Sequence, residues 1–270
     1  MSRATTHRRP RLGPCLYNAL VPARICDTRT SQPSNQCTGK APASGGILDV
    51  QVTGKGGVPS SGVAAAVLNI TAIDAASPGY LTLFGQGATK PTASNLNYRA
   101  GQVVANRVML PVSSGGQIAI FTGNGSPNIA VDVSGYFTDT SDAHAQGAQF
   151  TPAPSPARIC DTRQGQPQNP CTGKTLSAEG ILAVQGADSA GAPADATAVV
   201  LNATAAGPTT GGFFTVYPAG QVTPIASDLN FGVDEAIANM AVATLAAEAF
   251  IVYNASGSTE LVVDVVGWYS

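Results

Sequence analysis

Histidine is almost missing from this chain: 270 residues hold two, His7 and His144. Both stand outside the segments that carry its motifs. A Ser-His-Asp or Cys-His arrangement therefore has no base, and a metal site loses its commonest nitrogen ligand. Charge is sparse too. Asp, Glu, Lys and Arg make up 11% of residues, too few to give long amphipathic helices their solvent faces. Arg3, Arg8, Arg9 and Arg11 crowd the N-terminus, so a formal net charge of −2 becomes −6 once those four are set aside. A track for phosphates needs clustered Lys and Arg and the repeats hold few, so nucleic acid is not an expected partner. No run of about 18 uncharged apolar residues occurs, so no membrane span is expected. The basic start lacks the apolar stretch of about 7–15 residues that a secretion signal requires. The reading is a leader missing from this chain or a misplaced start codon, with a basic arm over residues 1–21 as the alternative.

What the chain does have, it has twice. PARICDTR at Pro22–Arg29 returns at Pro156–Arg163, and each copy runs on to CTGK, at Cys37–Lys40 and Cys171–Lys174. VLNITA (Val67–Ala72) answers to VLNATA (Val200–Ala205), and SNLNY (Ser94–Tyr98) to SDLNF (Ser227–Phe231). VAN (Val104–Asn106) answers to IAN (Ile237–Asn239), and VDVSGYF (Val131–Phe137) to VDVVGWY (Val263–Tyr269). A period well above about 50 residues marks complete domains rather than thin solenoid units. The expected organisation is repeat 1 over residues 22–138, a polar linker over 139–153 and repeat 2 over 154–270. The copies also filter motifs, because whatever both keep is required by the unit itself.

With 30 Gly, 19 Pro and 44% hydrophobic residues, the apolar segments are short and bounded by turn formers. About eight strands per copy at turn-like spacing predict an all-β chain of two tandem, antiparallel, jelly-roll-like β-sandwich domains. The first strand of repeat 1 is expected near Ala23–Asp27. Ala236–Ala247 is rich enough in alanine to suggest a helix, but its counterpart VVANRVMLPV is β-branched and contains proline, so a strand is expected there.

Four of the five cysteines recur at one spacing: Cys26 and Cys37, then Cys160 and Cys171. That pattern predicts one local disulfide per repeat and an oxidising compartment. Zinc would need CxxC knuckles or neighbouring histidine, and no metal or cofactor is expected. Cys15 has no counterpart and stands as an orphan thiol.

The polar residues kept in both copies are the candidates for a site. Arg24, Asp27, Arg29 and Asp132 match Arg158, Asp161, Arg163 and Asp264; Asn69, Asn97 and Asn106 match Asn202, Asn230 and Asn239. Asp27 with Asp132, or Asp161 with Asp264, would supply the carboxylate pair of a glycosidase. The favoured reading is instead a buried carboxylate satisfied by a nearby arginine. A buried polar atom left without a partner costs about 1–3 kcal/mol, so the asparagines are expected to form a network that pins strand register. The sharper alternative is a carbohydrate cleft built from the same groups. Tyr136 and Trp268 are candidates for stacking on a sugar ring or for closing the sandwich. The sequons at Asn69 and Asn202 lie inside predicted strands and read as accidental.

Taken together, the PAR-I-C-DTR, VLN-x-TA, S-(N/D)-LN-(Y/F), (V/I)-AN and VDV-x-G-(Y/W)-(F/Y) set resembles a repeat domain of secreted and surface proteins of actinomycetes and related bacteria. There the domain stands in tandem or beside hydrolases such as peptidases and cell-wall amidases. The resemblance covers nearly all of both repeats. It implies an extracellular or cell-surface, non-catalytic domain that attaches to the cell envelope or to glycans. No enzyme is expected. The expected partner is cell-wall glycan or another surface polysaccharide; the alternative is the chain itself, as a self-assembling subunit of a filament, sheath or surface layer.

Overall fold

The computed structural model describes residues 15–138 and 147–270; Arg3, His7, Arg8, Arg9, Arg11 and His144, with most of the expected arm and part of the expected linker, lie outside them. The first copy forms β1 (Tyr17–Asp27), β2 (Ile47–Gln51), β3 (Val63–Ile73), β4 (Gly79–Gly85), β5 (Leu96–Tyr98), β6 (Val103–Pro111), β7 (Gln117–Thr122) and β8 (Asn128–Thr138). The second forms β9 (Phe150–Asp161), β10 (Ile181–Gln185), β11 (Ala198–Ala206), β12 (Gly212–Pro218), β13 (Leu229–Phe231), β14 (Ala236–Thr244), β15 (Ala249–Asn254) and β16 (Glu260–Tyr269). Every pairing is antiparallel.

Sheets of order β1-β8-β3-β6 and β2-β7-β4-β5 face each other in the first copy; β14-β11-β16-β9 and β10-β15-β12-β13 repeat that order in the second. First strand beside last in one sheet and second beside seventh in the other is the jelly-roll arrangement. The chain is all-β, a tandem pair of antiparallel sandwiches. The alanine-rich segment is indeed strand β14, because each of its residues from Ala236 to Thr244 pairs with β11.

Period-2 alternation builds each core. Ala66, Leu68, Ile70 and Ala72 of β3 point into the first sandwich, as Val199, Leu201, Ala203 and Ala205 of β11 point into the second. The disulfides Cys26–Cys37 and Cys160–Cys171 form, with Cα–Cα distances of 5.2 Å in both. Each ties the end of an opening strand to the loop after it and contributes about 2–3 kcal/mol in the chain-entropy account. Cys15 is free and exposed.

Two expected boundaries shift. The opening strand begins at Tyr17 rather than near Ala23, inside the expected arm, and β9 begins at Phe150, inside the expected linker. The cause is a third apolar cluster shared by the copies. It joins Tyr17, Val67 and Ala148 to Ala198, Val200, Val242 and Tyr269, with the Tyr17 and Tyr269 rings stacked at 4.1 Å between centroids. The outer face of β3 is consequently buried from Val67 to Ile73, whereas Asn202, Thr204 and Ala206 on the outer face of β11 stay half exposed. Two copies of one sequence thus sit in different environments.

Candidate functional site

The PARICDTR loop is an ion-paired knot. Arg24 donates from Nε and Nη2 to the two oxygens of Asp132 at 2.6 and 2.9 Å, and from Nη1 to Asp27 at 2.8 Å. Arg29 donates to the same Asp27 through its side chain at 3.0 and 2.7 Å and its backbone N–H at 3.1 Å. The second copy repeats the knot, with Arg158 on Asp264 at 2.9 and 3.1 Å, Arg158 on Asp161 at 3.0 Å, and Arg163 on Asp161 at 2.9 and 2.8 Å. Burial pushes the Asp27 carboxyl up, but the hydrogen bonds and charge of Arg29, with the charge of Arg24, hold it below its ordinary value. The Arg163 side-chain hydrogen bond does most to hold Asp161 down, against the cost of burial. In each copy one guanidinium is shared by both carboxylates, so that the two acids are bound into one ion-paired cluster.

The asparagines divide into three groups. Asn106 and Asn239 donate to the backbone carbonyls of Asn95 and Asp228, each at 2.6 Å. Asn95 and Asp228, which sequence reasoning passed over, accept the backbone N–H of Leu83 and Val216, each at 2.7 Å. Those bonds fix the segment that enters β5 or β13 and set its register. Asn97 is exposed and outside any such network, and Asn202 is half exposed. Asn69 and Asn230 belong to the junction between the copies. Trp268 is buried in the second core, which closes the sandwich and leaves no face for stacking on a sugar ring, whereas Tyr136 packs against the first core and stays half exposed.

At the junction, Ser227 donates its backbone N–H to Asp132 at 3.1 Å and accepts from the Asn69 amide on its carbonyl. Asn239 donates to Asn69 at 3.1 Å. Arg107 of β6 is buried and pairs with Asp228, with further bonds to Ser134 and to the Met240 carbonyl at 3.2 Å. Sequence reasoning missed Arg107 because its counterpart is Met240, so the comparison of copies discarded it; a charge inside a predicted strand, opposite a methionine, was the available signal.

Beside this junction lies a cleft of about 580 Å³, walled by the outer face of the first copy and by the second copy's β12–β13 loop. Arg24, Arg29, Thr71, Asn230, Phe213 and Tyr253 line it. Among the described residues, the hydroxyl of Thr71 and the amide oxygen of Asn230 are buried without a hydrogen-bond partner, their residues 2% and 7% exposed. Phe213 and Tyr253 meet at 6.4 Å between ring centroids on the opposite wall. Guanidinium donors and a pair of half-exposed rings can recognise a ligand dense in hydroxyls.

No family model and no curated protein matches the chain. Among solved structures it is similar to one described as the STIV MCP, at 8% identity over 95% of this chain and 97% of that one, with a TM-score of 0.23. Procruciferin, an 11S globulin from Brassica napus, matches at 9% identity over 96% of this chain and 86% of its own, with a TM-score of 0.17.

Proposed function

We propose that the chain is a secreted, non-catalytic binding protein that takes a segment of cell-wall glycan or other surface polysaccharide in the cleft between its repeats. The observation that carries this reading is the composition of the cleft between the repeats, where the guanidinium groups of Arg24 and Arg29 share one pocket with the half-exposed rings of Phe213 and Tyr253. The cleft volume of about 580 Å³ falls within the range of small-molecule sites. Both walls are needed, so the pair of repeats forms one composite site rather than two equal ones. The two disulfides fit a protein working outside the cytoplasm, and attachment to the envelope is the role that the PARICDTR resemblance implies.

Pull-down on purified cell-wall polysaccharide, followed by titration calorimetry with the fragment retained, tests this. Phe213→Ala and Tyr253→Ala, which remove the half-exposed rings from one wall of the cleft, should each weaken binding about tenfold. Equal affinity in both variants, or no retention of the native chain on any glycan, sinks the reading.

A second reading, a self-assembling structural subunit, draws on a different observation. The face of the Arg24–Asp132 knot is covered by the other repeat, whereas the matching Arg158–Asp264 face is open, with side-chain exposures of 16% and 3% against 45% and 24%.

A further inference from the structure

We infer that the open Arg158–Asp264 face of the second repeat receives the Ala93–Asn97 segment of another copy of the chain, through the contacts that join the two repeats within one molecule. The inference rests on the assembly reading above. The in-chain joint seats the segment Ala226–Asn230 on the face made by Asn69, Asp132 and Arg107. Both halves of that joint occur a second time. The matching segment, Ala93-Ser-Asn-Leu-Asn97, exposes Ala93, Ser94 and Asn97 to solvent, and the matching face, Asn202 with Asp264, is half exposed. Among the described residues, each molecule therefore keeps one unused segment and the unused part of one face.

The chemistry corresponds position by position. Asp132 takes a backbone N–H from Ser227 in addition to its bonds from Arg24. Asp264 has its bonds from Arg158, and the Ser94 N–H of a neighbour supplies the donor that Ser227 supplies to Asp132. The Asn69–Asn239 pair reappears as Asn202 facing Asn106 of the neighbour. Asn106 is already set for this, since its amide is anchored on the Asn95 carbonyl as Asn239 is anchored on Asp228. This gives a reason for both copies to keep Asn69/Asn202 and Asn106/Asn239, although one of each pair has no use in the in-chain joint.

Two differences set the strength. The buried ion pair of Arg107 with Asp228 has no equivalent, because Met240, the counterpart of Arg107, already packs in the cluster between the repeats and Asn95 stands in the place of Asp228; no charge is stranded, but the strongest polar contact is lost. The part of the face around Val200 is already covered by Tyr17 and Tyr269, so the contact between molecules is smaller than the one within. Association is therefore weaker than the in-chain joint and depends on concentration. Because segment and face are different surfaces, the contact is heterologous, and its repetition gives a closed ring or an open helical filament.

The test is light scattering coupled to size exclusion, with the full chain carrying Cys15→Ser to prevent cross-linking, over a wide range of concentration. The native surfaces should give masses rising above 27.1 kDa. Asp264→Lys, which blocks the face, and Ser94→Trp, which blocks the segment, should each remain monomeric; mixed in equal amounts they should stop at a dimer, since each retains the surface the other lacks. Thr204→Arg, on the same half-exposed face, serves if Asp264→Lys fails to fold. Large species that persist in either variant refute the pairing of these surfaces and leave assembly standing. A chain that stays at 27.1 kDa at every concentration refutes both.

Discussion

Arg107 gives the sharpest test of how the repeats are joined. Its guanidinium is buried and bonds Asp228, Ser134 and the Met240 carbonyl. Replacing it with methionine, the residue the second copy carries at this position, leaves the buried Asp228 carboxylate without its cation. Removing one partner of a buried pair costs about 3–5 kcal/mol. Asp228 keeps the Val216 N–H at 2.7 Å, so about 3 kcal/mol is expected, read in urea unfolding as a midpoint lower by about 1 M. The repeat also supplies its own rescue. Asn95, the counterpart of Asp228, holds the Leu83 N–H at the same 2.7 Å without a charge, so Arg107→Met with Asp228→Asn should recover to within about 1 kcal/mol of the native chain. The native repeats should unfold in one transition, and Arg107→Met should begin to separate them into two. A loss below about 1 kcal/mol in the single variant, or a double variant as unstable as the single, would show that the joint does not rest on this pair.

Gly135 lies under the Tyr17 ring, and a Cβ added there would overlap it; Gly135→Ala should cost about 1–3 kcal/mol and weaken the near-ultraviolet circular dichroism of the Tyr17–Tyr269 stack. Acid should loosen the PARICDTR knots. Because Asp27 and Asp161 are held below their ordinary value when folded, their contribution is full above about pH 4 and is lost as pH falls through the lowered folded value. Asp161→Asn should therefore lose stability at neutral pH and approach the native chain as the pH falls through the lowered folded value of Asp161, measured by urea midpoints along a pH series; a gap that stays constant with pH would show that the carboxylate charge is not what holds the loop.

The doubled motifs, strand periodicity and cysteine spacing determined a great deal by themselves. Two all-β units, one disulfide in each, and the Arg–Asp knots around Asp132 and Asp264 all follow from local pattern and from the cost of burying a charge alone. Those are properties of a single repeat, and two copies of a sequence state them twice. What only the tertiary structure decided is the asymmetry. Asn69 and Asn202 carry the same residue on equivalent strands, yet one is buried against the other repeat and its counterpart stays half exposed. Arg107 and Asp228 matter because they differ from Met240 and Asn95, so a comparison that looked for sameness passed over them. Tyr17, read as part of an arm, anchors the apolar cluster between the copies. A heterologous joint uses different surfaces of identical units, and neither period nor composition records which surface each unit presents. That information arises when one fold packs against another, and the cleft between them exists only there.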